Sequence, residues 1–280
     1  MKLSVLVNND VNLESPYFYG EPGLSYYIEA GGKRGLFDTG YSDVALKNAE
    51  KLGIDLNGLD FVALSHGHDD HARGLKYLHE AGIDFSKTEL ILHPQALVPK
   101  WDGEEYIGIP YTETELSGIF GRVTKTREPY EIAEGLWFLG EIPRENDFEN
   151  KSPVCEVESP DGGKVPDFLI DDSALCYAPS GSDEIYLISG CAHSGICNVS
   201  EYAKKISGRE KVRGIIGGFH MTGGIDERVE KTIDYLKILG AKELYPGHCC
   251  LFHARAEMYK RLNTPETPVR DMYAGMSLTL

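Results

Sequence analysis

The chain has 280 residues, of which 41% are hydrophobic and 26% charged, an ordinary composition for a protein with one large domain or two small ones. Its formal net charge of −16 disfavours nucleic acid as a partner, because neutralising phosphates takes clustered Lys and Arg, and no apolar run approaches the length of a membrane span. The first residues lack signal-peptide features and the six cysteines lack disulfide-framework spacing, so we expect a cytoplasmic protein that binds neither nucleic acid nor membrane, in an oligomeric state that the sequence leaves open.

Predicted strands and helices alternate along the first third of the chain. The apolar residues of LSYYIEAGGKRGLFDTG indicate two strands that turn at Gly31 and Gly32. In SDVALKNAEKLG the spacing predicts a helix, with Ser42 as a plausible N-cap and Gly53 near its end. Further strands are predicted in MKLSVLVNND, LDFVALS and TELILHP, and a second helix in HARGLKYLHEAG.

Residues 94–170 follow no such pattern. They are rich in Pro, Gly, Glu and Asp, and only GLWFLG indicates a clear strand, so we expect a functional lid or a poorly ordered insert. Beyond this segment, strands are predicted in ALCYAP, EIYLISG, VRGIIGG, KELYPG and MSLTL, and helices in SEYAKKIS, DERVEKTIDYLKILG and HARAEMYKRL. The alternation predicts an α/β protein whose sheets are covered by helices.

The segment LSHGHDDHARG carries the strongest chemical signal. It places His66, His68, Asp70 and His71 within six positions, directly after a predicted strand. Imidazole and carboxylate ligands together suit Zn, Fe or Mn. Gly67 permits the tight turn that lets two histidines converge, while the last two residues begin the next helix and can point elsewhere. One short loop is therefore expected to serve two metal ions; a polar loop whose histidines bind nothing is the alternative.

This His-x-His-x-Asp-His pattern resembles the signature of the metallo-β-lactamase fold superfamily, and LFDTG resembles that superfamily's early strand-end motif. The resemblance runs from GLSYYIEA to YPGHCC, nearly the whole chain. It implies a single domain over residues 1–280, with an insert or lid at about 94–170. The implied fold is an αββα sandwich: two mixed sheets packed face to face with helices outside, and two divalent ions at one edge between the sheets. Zn is the metal we expect first, and Mn or Fe are alternatives.

Within the superfamily, the chain resembles the branch of dihydropterin-type synthases, which are similar to the methanogen enzyme that joins a dihydropterin diphosphate to a ribofuranosyl-aminobenzene phosphate. The pieces that carry this resemblance are GLSYYIE, FDTG, LSHGHDDH, DDSALCY, SGCAHSGICN, GGFHMTGG and YPGHCC. Two places depart from the branch: Arg73 stands where a Gly is common, and HCCL replaces His-Cys-Thr-Gly. Both lie where substrate should approach, so they bear on the substrate more than on the metal site.

The resemblance also implies ligands from later strand ends. His248 in YPGHCC takes the position of the superfamily's final histidine ligand. The ordinary pattern places a bridging Asp after a Gly where this chain has Gly190 and Cys191. Either Cys191 occupies that place, or His193 reaches the metal; we expect His193 to be the ligand. Cys191 remains an alternative ligand or a small buried residue.

Four further acidic residues and histidines are assigned roles around this centre. His220 in GGFHMTGG is a candidate metal ligand, general acid, anion binder or structural histidine, and with Asp70 it is our candidate catalytic residue. Asp38 is expected to orient a metal-loop residue from outside the ligand set, or only to cap a turn. Asp171 or Asp172 stands near the place of another superfamily histidine, and Asp172 is kept as an alternative ligand. The other histidines are expected on the surface or in caps: His79, His93 and His253.

Two close divalent ions can supply a hydroxide nucleophile near neutral pH and polarise a carbonyl or phosphoryl oxygen. They would also let an acidic protein accept an anionic small molecule. We therefore expect a di-metal enzyme acting on a small phosphorylated or ester-bearing metabolite, as a hydrolase or a dihydropterin-type synthase. The alternatives are a di-iron redox or oxygen-sensing protein and a non-catalytic metal-binding module. The di-iron oxygen reductases of the superfamily carry Glu at the position of His68 and add a flavodoxin domain, and this chain has neither.

Overall fold

Seventeen strands and seven α-helices make up the computed structural model, which describes all 280 residues. The strands are β1 Lys2–Val7, β2 Ser25–Ala30, β3 Lys33–Phe37, β4 Phe61–Ala63, β5 Glu89–Leu92, β6 Lys100–Asp102, β7 Glu105–Tyr106, β8 Arg122–Lys125, β9 Tyr130–Ala133, β10 Leu136–Phe138, β11 Cys155–Glu158, β12 Lys164–Asp167, β13 Ala174–Tyr177, β14 Glu184–Ser189, β15 Lys211–Gly218, β16 Glu243–Gly247 and β17 Ser277–Thr279. The helices are α1 Val44–Leu52, α2 Asp69–Ala72, α3 Gly74–Glu80, α4 Glu113–Ile119, α5 Ile196–Ser207, α6 Glu227–Leu239 and α7 Phe252–Leu262, with a 3₁₀ turn at Pro94–Leu97.

Two mixed sheets form the centre. The first has the order β17-β1-β2-β3-β4-β5-β8 and the second β16-β15-β14-β13-β10-β9. Phe37 of the first sheet and Phe138 of the second share one fully buried apolar cluster between them. A second cluster joins the first sheet to α1, α3 and α4, and a third joins the second sheet to α5, α6 and α7. The predicted αββα sandwich is confirmed, and none of its helices combines the length and apolar character needed to cross a bilayer.

Parallel strands in both sheets bring chemically important residues to one edge. In the first sheet β3, β4 and β5 run parallel, and in the second β14, β15 and β16 do. The last three residues of each of these strands are buried, as expected for strands covered on both faces. Their carboxyl ends meet at the same edge of the sandwich, so the loops that follow them face one another.

Local details differ from the sequence-based expectations in two places. The N-cap of α1 is Asp43 rather than Ser42, because Glu21 accepts hydrogen bonds from the Ser42 side chain and backbone N–H. Gly53 does end this helix, in the left-handed conformation with φ 67° that glycine adopts without strain. The helix predicted from HARGLKYLHEAG is divided between α2 and α3, and its first turn begins earlier, at Asp69.

The segment 94–170, expected to be largely irregular, holds helix α4 and seven strands. Three of these strands extend the main sheets, and β12-β11-β6-β7 form a separate antiparallel sheet. The side chain of Lys100 on β6 is 1% exposed, and its ammonium lies 2.5 Å from Asp167 and 3.0 Å from Asp171. Asp171 in turn accepts a hydrogen bond from the N–H of Gly67 at 2.8 Å. A buried ion-pair network therefore joins the small sheet to the histidine loop.

Candidate metal centre

The histidine loop and the ends of two later strands, β14 and β16, bring seven potential ligands to the shared edge. His66, His68 and His193 form one group, and Asp70, His71, Cys191 and His248 form the other; within each group all the ligand atoms lie within 4.8 Å of one another. All six residues that we predicted as ligands fall into these two groups.

The first group consists of three imidazoles and has nitrogen atoms without partners. Nε2 of His66 and both ring nitrogens of His193 are buried and make no hydrogen bond. The ring centroids lie 4.6 Å apart for His66 and His68, and 4.7 Å apart for His66 and His193. Burial holds the pKa of His66 and His193 well below the ordinary histidine value and lowers the pKa of His68 to about 4. These imidazoles are therefore neutral at pH 7, which is the form that binds metal.

The second group adds a carboxylate. Nε2 of His71 lies 3.1 Å from Nε2 of His248, and the Asp70 carboxylate lies 3.3 Å from the latter nitrogen. Nδ1 of His248 is 2.9 Å from the side-chain oxygen of Asn9. Because an amide oxygen can only accept, Nδ1 carries the proton and Nε2 of the same neutral ring has a lone pair for a ligand. Two imidazole nitrogens and a carboxylate facing one another need a proton or a cation between them. The donor sets of both groups fit divalent metal ions.

Asp38 holds the loop from behind. It is fully buried, and its carboxylate accepts hydrogen bonds from the backbone N–H of Ser65 at 2.7 Å and the Ser65 hydroxyl at 2.8 Å. The same carboxylate lies 2.7 Å from Nδ1 of His71, which directs Nε2 toward the ligand group. The Asp38 backbone has φ 59°, a left-handed conformation tolerated by Asp and stabilised here by these contacts. This placement matches the orienting role expected for Asp38.

Charge pairing within the second group shifts the pKa values of His71 and Asp70. Burial alone would lower the pKa of His71, but the carboxylates of Asp70 and Asp38 raise it to about 9. Burial alone would raise the pKa of Asp70, but neighbouring histidines, His71 first, hold it below its ordinary value. In the absence of a metal ion, a proton on His71 compensates the carboxylates at neutral pH. A divalent cation would take over this role and displace the proton.

Cys191 and His220 lie at the border of these groups. Sγ of Cys191, which we considered as an alternative ligand, lies 3.1 Å from Nε2 of His71. The His220 ring lies 4.1 Å, between centroids, from that of His193, and its buried Nδ1 has no partner. Cys191, His220 and Cys249 also bring their ligand atoms within 4.8 Å of one another.

Asp172 lies outside both ligand groups. Its carboxylate accepts hydrogen bonds from the backbone N–H of Ser194 at 2.9 Å and from the Ser194 hydroxyl at 2.6 Å, next to His193. Asp172 therefore supports the turn that carries His193. Arg73, at a position where we expected substrate to approach, places its guanidinium 4.4 Å from the ring centroid of Tyr41.

The remaining histidines are separate from the centre. His79 and His253 are exposed. His93 caps the 3₁₀ turn, where its Nδ1 accepts from the N–H of Gln95 at 3.1 Å, and its side chain is fully buried beside Glu141.

Sequence reasoning missed several residues that position the site. Asn8 and Asn9, at the end of β1, hold the backbone and ring of His248 across the sandwich. The buried carboxylate of Glu149 accepts from the N–H groups of Cys197 and Asn198 at the start of α5, which follows the His193 turn. The Asn-Asn pair after an apolar strand was a usable signal. Glu149 gave none, because its backbone partners in α5 lie nearly fifty residues away and its nearby partner, the Asn146 side chain at 2.7 Å, lies in a segment without helix or strand.

A cleft of about 560 Å³ opens beside His193 and His220. Its other walls include Lys151, Arg228 and Phe148, and residues 150–154 of the segment before β11. Arg228 donates a hydrogen bond to the backbone carbonyl of His220, which fixes the guanidinium at the cleft. The candidate centre therefore opens to a space with two cationic side chains and one carboxylate, Asp226, which caps α6 by accepting from the N–H of Val229 at 2.9 Å, although the whole chain is strongly acidic.

Comparison with known proteins shows the family of the chain. A family model for the metallo-beta-lactamase superfamily matches residues 19–248. The chain is 34% identical to an uncharacterized protein of Methanocaldococcus jannaschii over 258 residues, which cover 91% of this chain and 93% of the relative.

A second relative and a solved structure are also similar over nearly their whole length. The 7,8-dihydropterin-6-methyl-4-(beta-D-ribofuranosyl)-aminobenzene-5'-phosphate synthase of the same organism is 32% identical over 267 residues, covering 91% of this chain and 89% of the relative. The crystal structure of Tm1679, a metal-dependent hydrolase of the beta-lactamase superfamily, matches with a TM-score of 0.82 and 31% identity, covering 100% of this chain and 99% of the other. The resemblance predicted from the motifs is thereby confirmed, and the chain belongs to the metallo-beta-lactamase superfamily.

Proposed function

We propose that this protein is an enzyme that binds two divalent metal ions, Zn first among them, and acts on a small anionic substrate. His66, His68 and His193 would hold one ion, and Asp70, His71 and His248 the other. The observation that carries the proposal is the convergence of buried, neutral imidazole nitrogens that have no hydrogen-bond partner. A buried polar atom without a partner costs about 1–3 kcal/mol, and a bound cation would remove this cost by accepting the nitrogen lone pairs.

Bound divalent ions would activate water at neutral pH and polarise a carbonyl or phosphoryl oxygen. The chain's own residues fix the geometry for this chemistry. Asp38 keeps the proton of His71 on Nδ1 and leaves Nε2 free to bind. The Asp70 side chain is 30% exposed. One of its oxygens can therefore accept a hydrogen bond from an attacking water while its other oxygen binds the metal ion.

The cleft favours a substrate with a phosphate or another anionic group. Lys151 and Arg228 supply positive charge beside His193 and His220, and guanidinium groups suit phosphate oxygens. The ring of Phe148 offers an apolar wall for the rest of a small metabolite. We also propose that residues 94–170 wall the cleft as a lid-like insert, because Val154 lines it and the next residue, Cys155, lies 3.5 Å from the His68 ring nitrogen.

Hydrolase and synthase differ in what attacks the substrate. The methanogen relative is named as a synthase of a dihydropterin-linked aminobenzene phosphate, and Tm1679 as a hydrolase. Metal-loaded protein should be assayed on phosphodiesters, lactones and a dihydropterin diphosphate, the last with and without an aminobenzene acceptor. Diphosphate release that requires the acceptor supports a synthase, and release or ester cleavage with water alone supports a hydrolase.

Two measurements test the proposal directly. Protein purified without added metal should contain at least two Zn or Mn ions per chain; two Fe with oxygen-dependent spectra would favour a redox protein, and absence of metal would refute the di-metal enzyme. In the activity assay, Arg228→Met should raise KM for an anionic substrate at least tenfold, because a charged hydrogen bond is lost. Arg122→Met is the matched control, since Arg122 is an exposed residue beside Glu89 in the first sheet. An unchanged KM in Arg228→Met would contradict the proposed anion site.

A further inference from the structure

A thiol-rich cluster adjoins the two proposed metal groups. Cys191, His220 and Cys249 place two sulfurs and an imidazole nitrogen within 4.8 Å of one another. Two of the three residues, His220 and Cys249, belong to neither of the ligand groups, while Cys191 also belongs to the group of Asp70, His71 and His248. The cluster therefore shares Cys191 with the proposed centre and adds His220 and Cys249 as potential ligands.

The backbone brings these residues together through close packing of three parallel strand ends. Cys191 follows β14, His220 follows β15 and Cys249 follows β16. A Cβ on Gly218 would lie 2.4 Å from the Gly190 carbonyl oxygen and 2.6 Å from Sγ of Cys249, so only glycine allows this approach. The N–H of His220 then donates to Sγ of Cys249 at 3.2 Å.

Ordinary packing does not account for these side chains. Cys176, Cys197 and Cys250 lie in the apolar cluster beneath α5, α6 and α7, as small buried residues do. Cys191 and Cys249 lie outside every apolar cluster. Sγ of Cys191 lies 3.1 Å from Nε2 of His71, and Cys249 accepts from the backbone N–H of His220 and donates to the backbone carbonyl of Cys191 at 3.6 Å.

His220 gives a second, independent indication of a ligand. Its Nδ1 is buried and without a partner, and its backbone is held in a left-handed conformation with φ 45°. A non-glycine residue adopts this conformation at a cost, which is common at functional sites.

We propose that Cys191, His220 and Cys249 form a third cation site, specific for a soft divalent ion such as Zn²⁺. Two thiolates and one imidazole are a donor set that Zn²⁺ prefers and that Mg²⁺ or Ca²⁺ does not. Both thiols would release their protons to solvent as the ion binds. Cys191 would bridge this ion and the one held by Asp70, His71 and His248, so the inference rests on the proposed di-metal function at that one residue. The site would make Cys249 a ligand that the loop motif does not predict.

Cobalt substitution tests the third site, because thiolate ligands give Co²⁺ an intense near-ultraviolet charge-transfer absorption that imidazoles and carboxylates do not. Chelator-stripped, fully reduced protein is titrated anaerobically with Co²⁺, and bound ions are counted. The wild type should bind three ions and show the charge-transfer band. Cys249→Ser should bind two ions, and its band should fall by about two-thirds, because loss of the third ion removes two of the three Co–S bonds. Cys250→Ala, the matched control, should behave as wild type, since Cys250 is buried in the apolar core.

The outcomes separate this inference from the proposed function. An unchanged ion count and band in Cys249→Ser would overturn the third site and leave the di-metal centre standing. Binding of no ion by the wild type would overturn both. A fold check by circular dichroism and retention of two ions in Cys249→Ser exclude misfolding as the cause of the loss. His220→Ala should weaken the third ion at least tenfold, and an equal affinity in this variant would also contradict the assignment.

Discussion

Replacing Lys100 by Met tests whether the small sheet of the 94–170 segment holds the histidine loop in place. The Lys100 ammonium is buried between Asp167 and Asp171, at 2.5 and 3.0 Å. Burial alone would lower the pKa of Lys100, but the two carboxylates raise it above its ordinary value, so the ammonium is charged. Met fills a similar volume but leaves two buried carboxylates without their cation. Asp171 also accepts the Gly67 N–H, so the disturbance reaches the loop between His66 and His68.

The expected loss follows from the burial of this ion-pair network. Removing one partner of a buried pair costs about 3–5 kcal/mol, because the remaining charge is left uncompensated in a medium that solvates it poorly. With a urea m-value of about 3 kcal/mol/M, this corresponds to a decrease of roughly 1–2 M in the unfolding midpoint. The assay is equilibrium urea unfolding of chelator-stripped protein, since a bound metal ion would itself add stability.

Lys125→Met is the matched control for this experiment. Lys125 pairs with Glu113 at 2.5 Å, but both side chains are exposed, at 36% and 54%. Surface pairs contribute between nothing and about 1 kcal/mol, so this variant should unfold close to the wild-type midpoint. If Lys100→Met shifted the midpoint no further than Lys125→Met, the buried network would not stabilise the fold and the reasoning would be refuted.

Three further substitutions test the centre and its support. His68→Ala should lose at least one metal ion per chain and all activity while its far-ultraviolet circular dichroism stays native, whereas exposed His79→Ala should keep both; full metal occupancy in His68→Ala would exclude the site as described. Asp38→Asn should weaken metal binding about 10–100-fold in a competition assay with a chromophoric chelator, because the orienting carboxylate of His71 is lost; unaltered affinity would rule out that role. Glu149→Gln should lower the free energy of unfolding by about 1–3 kcal/mol, as two backbone N–H groups lose a charged acceptor, and a smaller change in urea unfolding would contradict this.

The regular parts of the fold were predictable because local pattern and final packing agree. The strand before the histidine loop and helix α6 have the apolar spacing that their buried faces require. The edge strand in MSLTL was also predicted, and it pairs with β1 as β17. The segment 94–170 was not predictable to the same degree. Its small sheet is held by contacts such as Lys100 with Asp167, which lie 67 residues apart and leave no local period.

The sequence by itself determined the candidate ligands of the histidine loop and the motifs by which the chain resembles its family, because both depend on residues close together in the chain. Its apolar periods predicted sheets covered by helices, and the resemblance implied the αββα sandwich. Only the tertiary structure decided which distant residues join them. It places Cys191 beside His71 across 120 positions and sets the side chain of Asn9 against the ring of His248. It also brings Cys249 to His220, a consequence of three parallel strands ending at one edge with a glycine where their backbones meet. Such juxtapositions arise from sheet order and register, which depend on the packing of the whole chain rather than on any one segment.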